Sequence, residues 1–399
     1  MAIINSLLDT DFYKLTMAQA VLHKYPAVAV RYKFQCRDNK KFPWVEEINK
    51  EVDHLCTLRF DDDEIQYLST FPFFKADFVE YLRMFQLNRS YIDISSDQKG
   101  NLKINIAGPW IATILFEVPV LAIISEIYSK HQPNTESGSH DAELAGTTGE
   151  ANLMKKIDFL TDLLKTGQIP NFRFADFGTR RRYSHEWHSS LLNILKGKFR
   201  PHLFVGTSNV YFAKKYKMKP IGTMSHEWLQ GHQQLGARFA DSQTAALENW
   251  AQEYRGDLGI ALSDVVGFKA FLRDFDLYFA KLFDGCRHDS GDPVSWCVKL
   301  IEHYDKLGID PKTKYAVFTD SLDLEKAVEL HQTFYEMINM SFGIGTNLTN
   351  DVGIQPPSII IKMVECNGQP VAKICDTEEK EICEDSEFCA YLKKVYKIQ

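Results

Sequence analysis

The chain has 399 residues, 45% hydrophobic and 25% charged, with a formal net charge of −7. That length suits one large α/β domain with a smaller companion. The acidic balance argues against broad nucleic-acid binding, which needs basic patches to release counterions from phosphates.

The opening "MAIINSLLDTD" has no basic region followed by an apolar run, so no secretory signal is expected and a cytoplasmic, reducing location is the default. The eight cysteines form no CxxC pair and no regular spacing with histidines, which weighs against zinc. "LLDTDFYKLTMAQAVLHKYP" predicts a helix opening after Asp9 or Thr10 and closing before Pro26, with Tyr13 beside its apolar stripe. "VAVRYKFQCRD" alternates apolar and polar side chains as a half-buried strand does, with Arg37 at its end. Helical stripes follow around Val45–Leu55 and Asp62–Phe71, and "YIDIS" and "LKINIAG" add two short strands. "WIATILFEVPVLAIISEIY" is the most apolar run, but Glu117, Pro119 and Glu126 interrupt it, so a buried helix is expected and no membrane span. Residues 1–130 therefore read as an α+β domain.

Residues 131–152 are polar, contain glycine and carry few bulky apolar side chains, which predicts a mobile surface loop. From 153 to 355 the chain changes style. "NFRFADFG", "HLFVGT", "KPIGT", "LGIALSD", "DGCRHDSGD", "KYAVFTD" and "MSFGIGT" are short segments ending in small or acidic residues, most followed by a helical pattern. Repeated βα units of this kind predict a parallel sheet closed into a TIM-like (β/α) barrel, with the site in the loops after the strands.

The strand ends carry the chemistry. "FADFGTRRR" sets Phe177 three residues before Arg180; a ring and a guanidinium suit a flat anion, although three arginines also open solvated helices. "VGTSN" adds Ser208 in a neutral turn, and "ALSDVVG" adds Asp264. "DGCRHDSGDP" supplies Arg287 for an anion and Asp289 for a vicinal diol, while Asp292 before Pro293 reads as a helix cap. "FTDSLD" and "FGIGTN" follow the last two strands, where barrels of this kind often hold phosphate; the alternative for "FGIGTN" is a tight connection only. Neither GxGxxG nor GxxxxGK[ST] occurs. In "IGTMSHEWLQG", Ser225 reads as an N-cap and His226 as either a packing residue or a reactive imidazole. Together these residues suit an aromatic acid, a ribose and phosphates, hence glycosyl transfer from an activated sugar phosphate.

Taken in order, "LLDTDFYKLTM", "DFGTRRR", "VGTSN", "GTMSHEW", "RHDSGD", "FTDSLD", "FGIGTNL" and "KMVECNGQPVAK" resemble nicotinate phosphoribosyltransferases over nearly the whole chain. The resemblance implies an irregular barrel joined to the α+β domain, with residues 356–399 returning to that domain, and a homodimer with sites at the interface. It implies nicotinate, phosphoribosyl pyrophosphate and ATP as substrates, with Mg²⁺ held mainly through the diphosphate. His226 would be transiently phosphorylated by ATP. Phe177 and a partner subunit's Tyr13 would sandwich the pyridine ring, with Arg180 and Arg287 near its carboxylate or the donor's phosphates. Ser208 stands where related nicotinamide-using enzymes have an aspartate and would donate to the acid. Asp264 and Asp289 fall to the sugar donor, Asp289 holding ribose. Thr319, Asp320, Gly343, Gly345 and Thr346 would surround its terminal phosphate, and Arg37 and Lys362 would reach its diphosphate across the dimer. The competing readings are a nicotinamide or quinolinate phosphoribosyltransferase and a non-catalytic phosphosugar-binding barrel.

Overall fold

A computed structural model describes residues 2–132, 142–377 and 381–398. The first helix, Phe12–Lys24, is buried for most of its length. It leads into an antiparallel sheet of β1 (Ala29–Cys36), β2 (Ile92–Ser96) and β3 (Leu102–Pro109). The chain returns to this sheet near its end. The strand β10 (Ile359–Cys366) pairs with the free side of β1, and β11 (Gln369–Pro370) lies outside it, giving the order β11-β10-β1-β3-β2. The last helix, Ser386–Tyr396, turns to the other domain, where the Tyr396 hydroxyl donates to the Phe239 carbonyl at 2.6 Å.

Six parallel strands form the second sheet: β4 (Phe174–Asp176), β5 (Phe204–Thr207), β6 (Ile260–Leu262), β7 (Gly285–His288), β8 (Tyr315–Phe318) and β9 (Asn339–Ile344). Their order is β5-β4-β9-β8-β7-β6, so the two end strands do not pair directly. The "KPIGT" segment, expected as a strand, spans that gap without becoming one. Its Ile221 amide donates to the Thr207 carbonyl of β5 at 2.9 Å, and the Thr223 hydroxyl donates to the Ile260 carbonyl of β6 at 2.9 Å. One parallel bridge, Thr207 with Pro220, and the Thr223 bond to β6 thus close the barrel in place of a full ladder.

One expectation is corrected and another holds. Part of the polar stretch from 131 to 152 lies outside the described residues, but Ala142–Lys165 is one helix. Its Ala145 packs with Val352 and Ile354 beside Trp187, burial that overrides the polar composition. The apolar run from Trp110 breaks into the helices Trp110–Thr113 and Glu117–Lys130. The 110–130 span is long and apolar enough to cross a membrane but is 94% buried inside the protein, as a core helix is.

Candidate active site

The strand-end loops of β4, β5, β7, β8 and β9 converge with β10 and the start of the first helix on a cavity of about 400 Å³. Of the residues expected in a site, Tyr13, Arg37, Phe177, Arg180, Ser208, His226, Arg287, Asp289, Thr319, Asp320, Gly345, Thr346 and Lys362 line it. Tyr13 of the same chain lines the cavity because the first helix lies over its own barrel, tied by the Phe12 amide donating to the Ser208 carbonyl at 2.7 Å. Arg37 and Lys362 likewise reach the cavity within the chain, because β1 and β10 are paired neighbours.

Gly343 and Asp264 stand behind the wall. A Cβ on Gly343 would lie 2.8 Å from the Phe177 ring, so this glycine seats that ring rather than touching phosphate. Asp264 is 2% exposed. One of its oxygens lies 2.8 Å from His226 Nε2, and the other accepts from Ser290 Oγ at 2.7 Å and lies 2.9 Å from the Lys373 ammonium. It orients the imidazole instead of meeting a sugar.

Ser208 also departs from expectation. Its hydroxyl donates to Asp11 Oδ1 at 2.7 Å, a buried carboxylate that the folded N-terminal segment brings up beside β5. Arg180 and Arg287 reach the same cavity. Arg180 lies 3.6 Å from Asp11 and 3.7 Å from Glu117, near both carboxylates but beyond hydrogen-bond reach of either, so its fork is available to a ligand. Arg287 gives one donor to the Met224 carbonyl at 3.0 Å, while its buried Nε has no protein partner. Arg182 is structural: it makes a bidentate pair with Asp9 at 2.7 and 2.9 Å and a third bond to Glu126 at 2.7 Å, fully buried.

His226 begins the helix His226–Gly231, with Ser225 at the N-cap position. The capping bond expected from Ser225 is absent; its hydroxyl faces the Met17 sulfur at 3.5 Å. Burial, seconded by the Lys373 charge, lowers the His226 pKa to about 4 despite Asp264, so the imidazole is neutral at physiological pH. With a carboxylate accepting at Nε2, the proton is assigned to that nitrogen and the lone pair to Nδ1. Asp289 accepts from the Thr319 hydroxyl at 2.9 Å and lies 3.5 Å from His226. Burial opposes its charge, but His226 and Arg287 hold its pKa at about 2.

Three residues escaped the strand-end logic. Lys373 was visible only as the last residue of "KMVECNGQPVAK", and Asp11 sits in "LLDTDFYK" without a partner in sequence. Glu117, which in sequence merely interrupts an apolar run, is the buried anion behind the cationic wall. It binds the Lys14 ammonium at 2.7 Å and lies 3.8 Å from Lys362. Burial works against its charge, yet Lys14, then Lys362 and Arg180, bring its pKa down to about 2.

Lys362 itself is lowered to about 8, by burial first and with Arg180 adding to it, against the pull of Glu117. The ammonium is charged below that pH and lost above it, so anion binding weakens as pH rises through 8. The KM for an anionic donor should climb above pH 8 in the wild type, and Lys362→Met should remove that inflection while raising KM at all pH values. A KM that stays flat to pH 9.5 in the wild type would disprove this role for Lys362.

Residues 8–125 match the model of the nicotinate phosphoribosyltransferase N-terminal domain, and residues 172–399 match that of the nicotinate phosphoribosyltransferase family. A Cupriavidus necator protein named nicotinate phosphoribosyltransferase is 50% identical, covering 100% of this chain and 99% of the relative. One of the same name from Acinetobacter baylyi is 52% identical, covering 99% and 97%. Among solved structures, a nicotinate phosphoribosyltransferase from Vibrio cholerae superposes with a TM-score of 0.93 at 42% identity, over 100% of this chain and 94% of that one. Another from Porphyromonas gingivalis gives 0.88 at 32%, over 99% and 100%. With both domain models and full-length relatives agreeing, this chain belongs to the nicotinate phosphoribosyltransferase family.

Proposed function

We propose that this enzyme couples ATP hydrolysis to phosphoribosyl transfer through a transient phosphoryl group on His226. Family membership gives the transfer itself: nicotinate and phosphoribosyl pyrophosphate yield nicotinate mononucleotide and diphosphate. The observation that carries the coupling is a buried, neutral His226 held by Asp264 at the edge of the cavity. Its Nδ1 lone pair would attack the γ-phosphorus of ATP; the N–P bond forms as the bond to the bridging oxygen breaks, and ADP leaves. Water later takes the phosphoryl group.

In the transfer step no general base is needed, because the pyridine nitrogen is already the nucleophile. Tyr13 and Phe177 would hold the ring with that nitrogen toward the anomeric carbon, and the cationic wall of Arg37, Arg180 and Lys362 would stabilise the departing diphosphate. Thr319, Gly345 and Thr346 suit the donor's terminal phosphate.

Ligand atoms of His226, Asp264 and Asp289 lie within 4.8 Å of one another. Mg²⁺ prefers oxygen, and Asp264 is already engaged by Lys373 and Ser290. Asp289 is thus the carboxylate suited to hold Mg²⁺ alongside diphosphate oxygens, where the ion would neutralise charge on the leaving group. A homodimer and a cytoplasmic location belong to the same proposal.

The test is to incubate the protein and Mg²⁺ with phosphoribosyl pyrophosphate and nicotinate, nicotinamide or quinolinate, with and without ATP. Mononucleotide should form from nicotinate, and ATP should increase it with stoichiometric ADP release. Synthesis indifferent to ATP would overturn the coupling.

A further inference from the structure

Behind the pyridine clamp lies a buried carboxylate that the mechanism above does not use. Asp176 ends β4, immediately before Phe177, and is fully buried, as are His188 and Thr207. Its Oδ1 accepts from the Gly178 amide at 2.9 Å, while Oδ2 accepts from the Thr207 hydroxyl at 2.5 Å and lies 2.7 Å from His188 Nε2. Its backbone carbonyl accepts from the Ser208 amide at 2.8 Å. The turn is gripped from its far side as well. The Thr349 hydroxyl donates to the Gly178 carbonyl at 3.0 Å, and a Cβ on Gly178 would sit 2.1 Å from that hydroxyl oxygen.

We propose that Asp176 is a positioning residue for nicotinate, acting through Phe177. The inference rests on the reading that Phe177 stacks on the pyridine ring. One side chain ties the residue after Phe177, the end of β5 before Ser208, and the helix His185–Lys198 to a single point. A carboxylate suits this point because the Gly178 amide and the Thr207 hydroxyl both donate to it, and His188, with its proton assigned to Nε2, adds a third donor. Asparagine in its place would turn an NH₂ group toward donors and leave a buried one unmet. The ring would then lose its fixed height over Gly343, and small misplacements of a reacting ring carry large rate costs.

Asp176→Asn should raise the KM for nicotinate roughly tenfold while the KM for phosphoribosyl pyrophosphate stays within about twofold. Thr207→Val, which removes one donor at constant shape, should give a smaller rise of the same kind, and Thr207→Ser should restore near wild-type behaviour. A purely structural role would lower the melting temperature and the active fraction without splitting the two KM values. Phe177→Leu serves as the reference for the clamp. If Phe177→Leu leaves the nicotinate KM unchanged, the clamp reading fails and this inference with it. If Phe177→Leu raises it but Asp176→Asn and Thr207→Val do not, or both substrates' KM values rise together, the positioning role alone is overturned. Should Asp176→Asn not fold, the Thr207 pair decides between these outcomes.

Discussion

His226→Asn abolishes the phosphoenzyme and leaves only ATP-independent synthesis of mononucleotide, with raised substrate KM values. The expected loss of ATPase activity is on the order of 10³-fold or more, the scale seen when a covalent nucleophile is removed. The imidazole is 4% exposed, held at Nε2 by Asp264 at 2.8 Å, and kept neutral down to about pH 4 by burial and Lys373. Asparagine retains a donor toward Asp264, so the buried carboxylate is not stranded and the fold is expected to survive. Transfer from terminally labelled ATP, followed on denatured protein, measures the phosphoenzyme directly. Because the nucleophile is the neutral imidazole, phosphorylation in the wild type should fall only as pH drops toward 4, well below the usual histidine range. Equal phosphorylation of wild type and variant would refute the assignment.

The parts of this site legible in sequence are those fixed by local geometry. In a parallel βα barrel every strand ends at the same face, so Phe177, Asp289, Thr319 and Gly345 could be grouped from the alternation of short apolar segments and polar turns alone. Gly343 lies inside β9, before the strand ends at Ile344, and the tight seat it gives the Phe177 ring puts it in the wall rather than the cavity. What escaped depends on long-range closure. Lys373 meets Asp264 only after the chain has returned to β1 through β10, and Asp11 meets Ser208 only because the first helix folds over the barrel. Glu117 is the clearest case. An acid inside an apolar run has no visible partner in sequence, yet in the fold it lies beside Lys14, Arg180 and Lys362. The hydroxyl partners of Ser208 and Ser225 are hidden in sequence for a related reason: a hydroxyl rotates to whatever acceptor the tertiary structure supplies, and here these are Asp11 and the Met17 sulfur.

The second large effect is expected at Arg287. Its guanidinium is mostly buried at the end of β7, with one donor satisfied by the Met224 carbonyl and a buried Nε that meets no protein acceptor. Arg287 lines the cavity, and the terminal N–H groups that Met224 does not use can meet a nicotinate carboxylate through charge-assisted bonds. Arg287→Met keeps the apolar stem and removes the fork. The enzyme should then lose kcat/KM for nicotinate by on the order of 10²–10³-fold, since each hydrogen bond to a charged group is worth about 1.5–3 kcal/mol. Its preference for nicotinate over nicotinamide should shrink by a similar factor, because the amide never gained the charge interaction. Arg287→Lys should recover little, as a point charge cannot reproduce the planar fork. The melting temperature should fall, because the variant leaves the Met224 carbonyl without its donor and takes a counter-charge from Asp289. Steady-state kinetics with both pyridines decide the matter. A variant whose acid-to-amide preference is unchanged, with only the phosphoribosyl pyrophosphate KM raised, would reassign Arg287 to the donor's phosphates and leave Arg180, poised between Asp11 and Glu117 without a hydrogen bond to either, as the reader of the acid.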